Sequence, residues 1–142
     1  MTIARASLPS ARPDHAGSSL YRPGVCNIGP AEIARRRRVG HVGLGASVIL
    51  LVFLVLAGLP AWTRLLVAIP AVLAASGYLQ ARLRFCAAFG WRGVFNFGTP
   101  GQMEDIDDRE SRARDLARAR QIGFGSLAIG LAVGTVAALL PL

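Results

Sequence analysis

The chain has no lysine: all sixteen basic residues are arginine, set against eight acids, for a formal net charge of +8. Cysteine and histidine are also scarce, two of each in 142 residues, and charged residues make up only 17%. Each scarcity excludes something. Two cysteines, Cys26 and Cys86, cannot build a disulfide framework, and without a C-x-x-C spacing they do not make a zinc module. Of the two histidines, His15 precedes every apolar segment and His41 only begins one, so bis-histidine haem ligation inside a membrane has no ligand pair. No ionisable residue sits near the middle of an apolar segment, which argues against a transporter or proton relay. A Ser-His-Asp constellation, a P-loop and a strand-linked G-x-G-x-x-G are likewise missing, so the sequence points to a non-enzymatic protein without a cofactor.

The chain does have apolar length. It is 53% hydrophobic, and the apolar residues collect at 41–59, 65–80 and 122–142, each near the roughly 17–25 residues that cross a hydrocarbon layer. The expected fold is therefore all-α, an integral membrane protein with three transmembrane helices: an N-terminal hairpin and a C-terminal span, joined by a charged cytoplasmic helix. Four segments follow: a disordered tail over 1–25, a membrane hairpin with flanking interfacial segments over 26–90, a turn and charged helix over 91–121, and a third span over 122–142. The tail's Arg- and Ser-rich, acid-poor composition also resembles a transit peptide.

The placement of the arginines decides what the net charge means. Arg35, Arg36, Arg37 and Arg38 stand directly before the first apolar segment, and Arg82 and Arg84 directly after the second. Both ends of the hairpin are thus basic, as the positive-inside rule requires of cytoplasmic ends. These arginines read as topology determinants and not as a nucleic-acid surface. With three spans, the N-terminus is expected inside and the C-terminus outside a bacterial inner (cytoplasmic) membrane.

Local signals place the elements. Gly29 and Pro30 suit an N-cap and first helical position, with Glu32 in the positive first turn. Gly58-Leu59-Pro60 ends the first span, Trp62 and Arg64 suit the interface, and Pro70 is expected to kink the second span. LRFCAAFGWRGVFNFG, over 83–98, is rich in aromatics and glycine and expected to lie along the interface. Thr99-Pro100-Gly101-Gln102 reads as a capping box opening a helix to Gln121, with Asp105–Arg109, Asp108–Arg112 and Glu110–Arg114 as i,i+4 pairs. The acids Glu104 to Glu110 lack the glycine and spacing of a calcium loop and read as a solvated helix start.

Three features bear on function. Ser126, Gly130, Gly134 and Ala138 recur every four residues in the last span, a small-residue packing stripe containing G-x-x-x-G. This suggests a scaffold or accessory subunit that packs on another membrane protein or on itself as a homo-oligomer. Next, Cys26 and Cys86 flank the hairpin on the same side, where they could form a thiol or metal site for redox or sulfur handling. Last, G-V-x-N-x-G occurs twice, in Tyr21–Pro30 (YRPGVCNIGP) and Trp91–Pro100 (WRGVFNFGTP). Both copies read as sharp turns in which Gly and Asn supply unusual backbone angles before a helix-opening proline. Arg22, Asn27 and Gly29, with Arg92, Asn96 and Gly98, could there bind an anion, most naturally the phosphate of a membrane lipid.

Residues Asn27-Ile28-Gly29-Pro30-Ala31-Glu32-Ile33-Ala34-Arg35, the tight hairpin, Gly77, Phe85-Cys86 and Gly90 together resemble the small YgaP-like inner-membrane hairpin family, over about 27–90. That family has an N-x-G-x-x-acid-x-x-Arg opening before its first span and a Cys after its second. Here Ala87 stands where the family tends to have proline, and the Arg run, charged helix and third span are additions. The resemblance implies a dimerising membrane hairpin, sometimes attached to a rhodanese domain that this chain does not contain, and no catalytic residues.

Overall fold

A computed structural model describes residues 19–99 and 101–141. The tail expected over 1–25 lies outside the described residues up to position 18. Helix α1 spans Pro30–Leu56, and a 3₁₀ segment, Ala61–Val67, leads into α2, Ala68–Leu83. A short α3, Ala87–Arg92, is followed by two-residue strands β1, Val94–Phe95, and β2, Glu104–Asp105, and by α4, Arg109–Leu139. The protein is mostly helical, and among the described residues three helical stretches, Pro30–Leu56, Ala61–Leu83 and Arg109–Leu139, are long and apolar enough to cross a membrane.

Helix α1 starts where its sequence directs it, with Gly29 as N-cap and Pro30 in the first turn, where a missing N–H costs nothing. It continues without a break through the arginine run for 27 residues, about 40 Å at 1.5 Å per residue. Pro70 lies inside the apolar stretch Ala61–Leu83, just after a change of helix type. The chain passes through the 3₁₀ segment first, so Pro70 falls in the opening turn of α2, where no upstream carbonyl depends on its N–H. Arg64 does not snorkel outward: it is buried, and its guanidinium donates to the Leu140 carbonyl at 2.9 Å, closing the C-terminal end of α4.

Helix α2 lies between the other two, packing α1 on one side and α4 on the other. Small residues make both contacts possible. A Cβ on Gly77 would come within 2.7 Å of Gly40 Cα and of the Arg36 carbonyl, and one on Gly130 within 2.7 Å of Val72 N. Such approach lets backbones meet where lipid tails give no hydrophobic drive for helices to associate. The large apolar side chains point away from the interior: Val42, Ile49, Phe53 and Leu56 on α1, Ile69 on α2, and Phe124 and Leu139 on α4 are all exposed. Small side chains inside and large apolar ones outside invert the soluble pattern and suit a hydrocarbon surround.

Helix α4 starts later than the capping-box reading placed it. Thr99 precedes a turn and β2, and the helix opens at Arg109 under a different cap, Asp108, whose carboxylate accepts from Ser111 N at 2.8 Å and Ser111 Oγ at 2.6 Å. These two bonds, the hydroxyl's first, hold the Asp108 carboxyl below its usual range. Of the three expected ion pairs, Glu110–Arg114 is formed, while Asp105 and Asp108 precede the helix. The charged segment and third span are one continuous helix. The short antiparallel ladder, Val94 opposite Asp105 and Phe95 opposite Glu104, is an addition to the all-α expectation.

The aromatic segment does not lie flat along an interface. It folds back as a cap over the helix ends that carry the arginines, with Phe85 and Cys86 fully buried and Phe89, Val94 and Phe95 nearly so. Ile28, Cys86, Phe89 and Val94 form one apolar cluster, and Phe85, Ala119 and Ile122 a second. Of the aromatic side chains in this segment Trp91 is the largely exposed one, with the Arg120 guanidinium 5.8 Å from its ring centre.

Candidate functional site at the arginine-rich end

The two G-V-x-N-x-G copies lie against each other. Gly24 and Gly93 occupy the same motif position and nearly the same left-handed backbone, φ 70° and 71°, a conformation glycine takes without Cβ strain. Beyond them the copies run parallel. Asn96 N donates to Asn27 O at 3.0 Å and Gly29 N to Asn96 O at 2.8 Å, pairing Ile28 with Asn96.

The asparagines do not supply unusual backbone angles, since Arg84 is the one non-glycine residue with positive φ among those described. They act through their amides. Asn27, fully buried, donates from Nδ2 to Cys86 O at 3.1 Å and accepts on Oδ1 from Cys86 N at 2.7 Å. Asn96 closes its own turn, accepting from Gly98 N at 2.9 Å and donating to Thr99 O at 3.0 Å. Only the first copy opens a helix; the second leads into the turn before β2.

A clasp the sequence did not reveal fixes the first copy on α4. Asp115, fully buried, accepts from Tyr21 Oη at 3.0 Å and from Gly24 N at 2.5 Å. Tyr21 also stacks on Phe95, with ring centres 4.9 Å apart. Burial and the Asp115 carboxylate push the Tyr21 hydroxyl well above the ordinary tyrosine range, so it stays a donor. The one available signal is Asp115 itself, the lone acid within Arg-Ala-Arg-Asp-Leu-Ala-Arg.

Between the clasped segment, the opening turns of α1 and the last turn of α2 lies a cavity of about 910 Å³. Arg22, Arg37, Arg82 and Arg84 line it, and among the described residues none of the four guanidinium groups has a carboxylate within ion-pair distance. Its remaining wall is largely apolar, including Ile33 and Ala34 of α1, Ala81 and Leu83 of α2, and Phe97. Arg84 occupies the left-handed position, φ 52°, that ends α2. Glycine is the usual residue there, and an L-residue costs roughly 1–2 kcal/mol.

The arginine run divides its work. Arg35 and Arg36 flank buried Glu32 at 3.6 and 3.7 Å, Arg37 faces the cavity, and Arg38 joins Arg35 at a shallower apolar groove beside Val42 and Leu73. Of the anion candidates, Arg22 and Gly29 line the cavity and Asn27 supports it from behind. Arg92, Asn96 and Gly98 are outside its lining, with Arg92 at the end of α3 beside Arg112.

The two thiols are free and differ in setting. Cys86 is fully buried, with Arg36 Nη2 2.9 Å from its sulfur. Burial pushes its thiol above the ordinary value, against the opposing effect of Arg36. Cys26 is half-buried on the cavity wall, its sulfur 3.8 Å from the Ile28 carbonyl. Among the described residues no three His, Cys, Asp or Glu side chains gather as metal ligands would.

The small-residue stripe is occupied from within the chain. Gly130 abuts Val72, and Gly134 abuts Ala68 and the Leu65 carbonyl; Ser126 is buried, donating to Ile122 O at 2.7 Å. Ala138 is half-buried, and its neighbour Ala137 is the buried residue.

No family model, curated protein or solved structure matches this chain.

Proposed function

We propose that this is a membrane-embedded, non-catalytic protein whose arginine-rich end binds a phosphate-class anion at the membrane surface. One observation carries the reading: four arginines that have no carboxylate within ion-pair distance among the described residues line a single cavity beside the start of α1. Guanidinium groups pair with phosphate oxygens in a planar, two-pronged geometry, and the N-terminus of α1 at Gly29–Pro30 adds partial positive charge. Arg84 supports the same assignment, because a strained backbone position persists where the side chain is needed. The distribution of arginine supports a topology with this end in the cytoplasm and the loop around Trp62 on the outer side of a bacterial inner membrane.

Scaffolding through the Ser126–Ala138 stripe is the weaker proposal, since α2 already fills most of that face and a partner would need another. The test of the anion reading is titration of detergent-solubilised protein with glycerol 3-phosphate at low and high salt. Saturable, salt-weakened binding that Arg82→Gln with Arg84→Gln abolishes supports the reading. Equal affinity in wild type and double variant removes it.

A further inference from the structure

The cavity is larger and more apolar than a phosphate group requires. Its volume of about 910 Å³ lies at the upper end of the roughly 300–1,000 Å³ that hold drug-sized ligands. Its polar lining is concentrated in arginines, while Ile33, Ala34, Ala81 and Leu83 extend the wall along the α1–α2 seam. That seam continues toward the exposed apolar side chains that would face lipid, such as Val42 and Leu73. A soluble phosphate ester would leave this apolar wall in contact with water.

We infer that the ligand is an amphiphile, a phospholipid whose anionic headgroup meets Arg22, Arg82 and Arg84 and whose acyl chain starts along Ile33, Ala34 and Leu83. This rests on the anion-site reading and names its ligand class. Arg37 has a second role beside charge: it stands on the same turns of α1 as Ile33 and Ala34, and its methylene stem covers acyl chain while its guanidinium turns back to the phosphate. Residues of the clasped segment 19–26 form one wall, so the headgroup sits in a cleft open to solvent and the chain leaves laterally between helices. Burial of even about two methylenes makes the lipid roughly tenfold tighter than its headgroup alone.

The experiment compares glycerol 3-phosphate with dioleoyl phosphatidylglycerol in zwitterionic detergent, read by titration and by native mass spectrometry. It uses wild type, Ala34→Trp, and Arg82→Gln with Arg84→Gln. Ala34 is exposed, so tryptophan there fills the apolar part of the cavity while leaving the fold and the arginines in place. An unchanged melting temperature confirms that.

The lipid is expected to bind at least about tenfold tighter than glycerol 3-phosphate, with Ala34→Trp losing the lipid advantage and keeping glycerol 3-phosphate. Equal affinity for the two ligands, or lipid retention indifferent to Ala34→Trp, overturns the amphiphile assignment and leaves a small phosphate ester as ligand. If neither ligand binds wild type better than the double arginine variant, the anion site itself is overturned.

Discussion

Asn27 and Cys86, fifty-nine residues apart, exchange two hydrogen bonds as if they were paired strands: amide Nδ2 to carbonyl at 3.1 Å, backbone N–H to amide Oδ1 at 2.7 Å. The asparagine side chain thereby stands in for a strand at the place where the chain enters α1 and leaves α2. Its own backbone extends the bridge, donating to Arg84 O at 3.2 Å and accepting from Asn96 N.

Asn27→Ala leaves the buried Cys86 N–H unpaired, at about 1–3 kcal/mol, while the Cys86 carbonyl keeps its bond from Gly90 N at 3.0 Å. The variant is expected to lower the thermal midpoint in detergent by more than Asn96→Ala does, because Asn96 closes a local turn while Asn27 joins separate segments. Equal midpoints for the two variants would contradict that division of roles.

Gly130→Ala and Gly77→Ala drive a methyl into the facing backbone, and overpacking of this kind costs roughly 1–3 kcal/mol. A Cβ on Gly45 or Gly123 meets nothing within 4 Å, so alanine there is expected to be neutral or to raise stability through helix propensity. Unfolding midpoints of the four variants check this. The loss at Gly130 is one of fold within a single chain and precedes any loss of association.

The thiols are expected to label at different rates. Maleimide reacts with half-buried Cys26 at neutral pH while buried, protonated Cys86 lags until the protein is denatured. Because the folded Cys86 thiol is raised above its unfolded value of 9.0, the folded state holds its proton longer than the unfolded one. Stability contributed by this group is full below that value and falls as pH rises through it. Cys86→Ala is expected to flatten the alkaline limb of the stability profile, which a comparison with Cys26→Ala isolates.

Asp115→Leu removes both acceptors of the clasp, releasing Tyr21 and Gly24 from α4. Hydrogen exchange at Gly24 N and proteolysis within 19–26 are expected to rise, whereas Asp115→Asn retains an acceptor and shows a smaller change. Protection at Gly24 unaffected by Asp115→Leu would mean that the stacking of Tyr21 on Phe95 holds the segment alone.

The helices and their inward faces are legible in composition and spacing because those signals are local. Apolar length marks all three spans, Gly29-Pro30 marks the start of α1, and the four-residue recurrence from Ser126 marks a packing face. What was not legible depends on contacts between distant segments. Thr99 offers as good a cap as Asp108, and the choice falls to Asp108 because residues 104–105 pair with Val94–Phe95. The motif repeat is visible in sequence, yet nothing local says that the copies lie side by side. Similarly, Arg37 reads as one of four identical topology signals, and only the helix phase separates it, facing the cavity, from Arg35 and Arg36 beside Glu32. Asp115 is one acid among arginines in the sequence, and its burial appears only when the first copy folds over it.

The most direct measurement of the central claim is made without detergent selection. The wild-type protein and an Arg22→Gln, Arg37→Gln, Arg82→Gln, Arg84→Gln variant are extracted with their surrounding bilayer in polymer nanodiscs, and the co-extracted phospholipids are quantified. A higher ratio of anionic to zwitterionic lipid is expected around the wild type, collapsing toward the bulk membrane ratio in the variant. An identical ratio for both proteins, with both correctly folded, would contradict that claim.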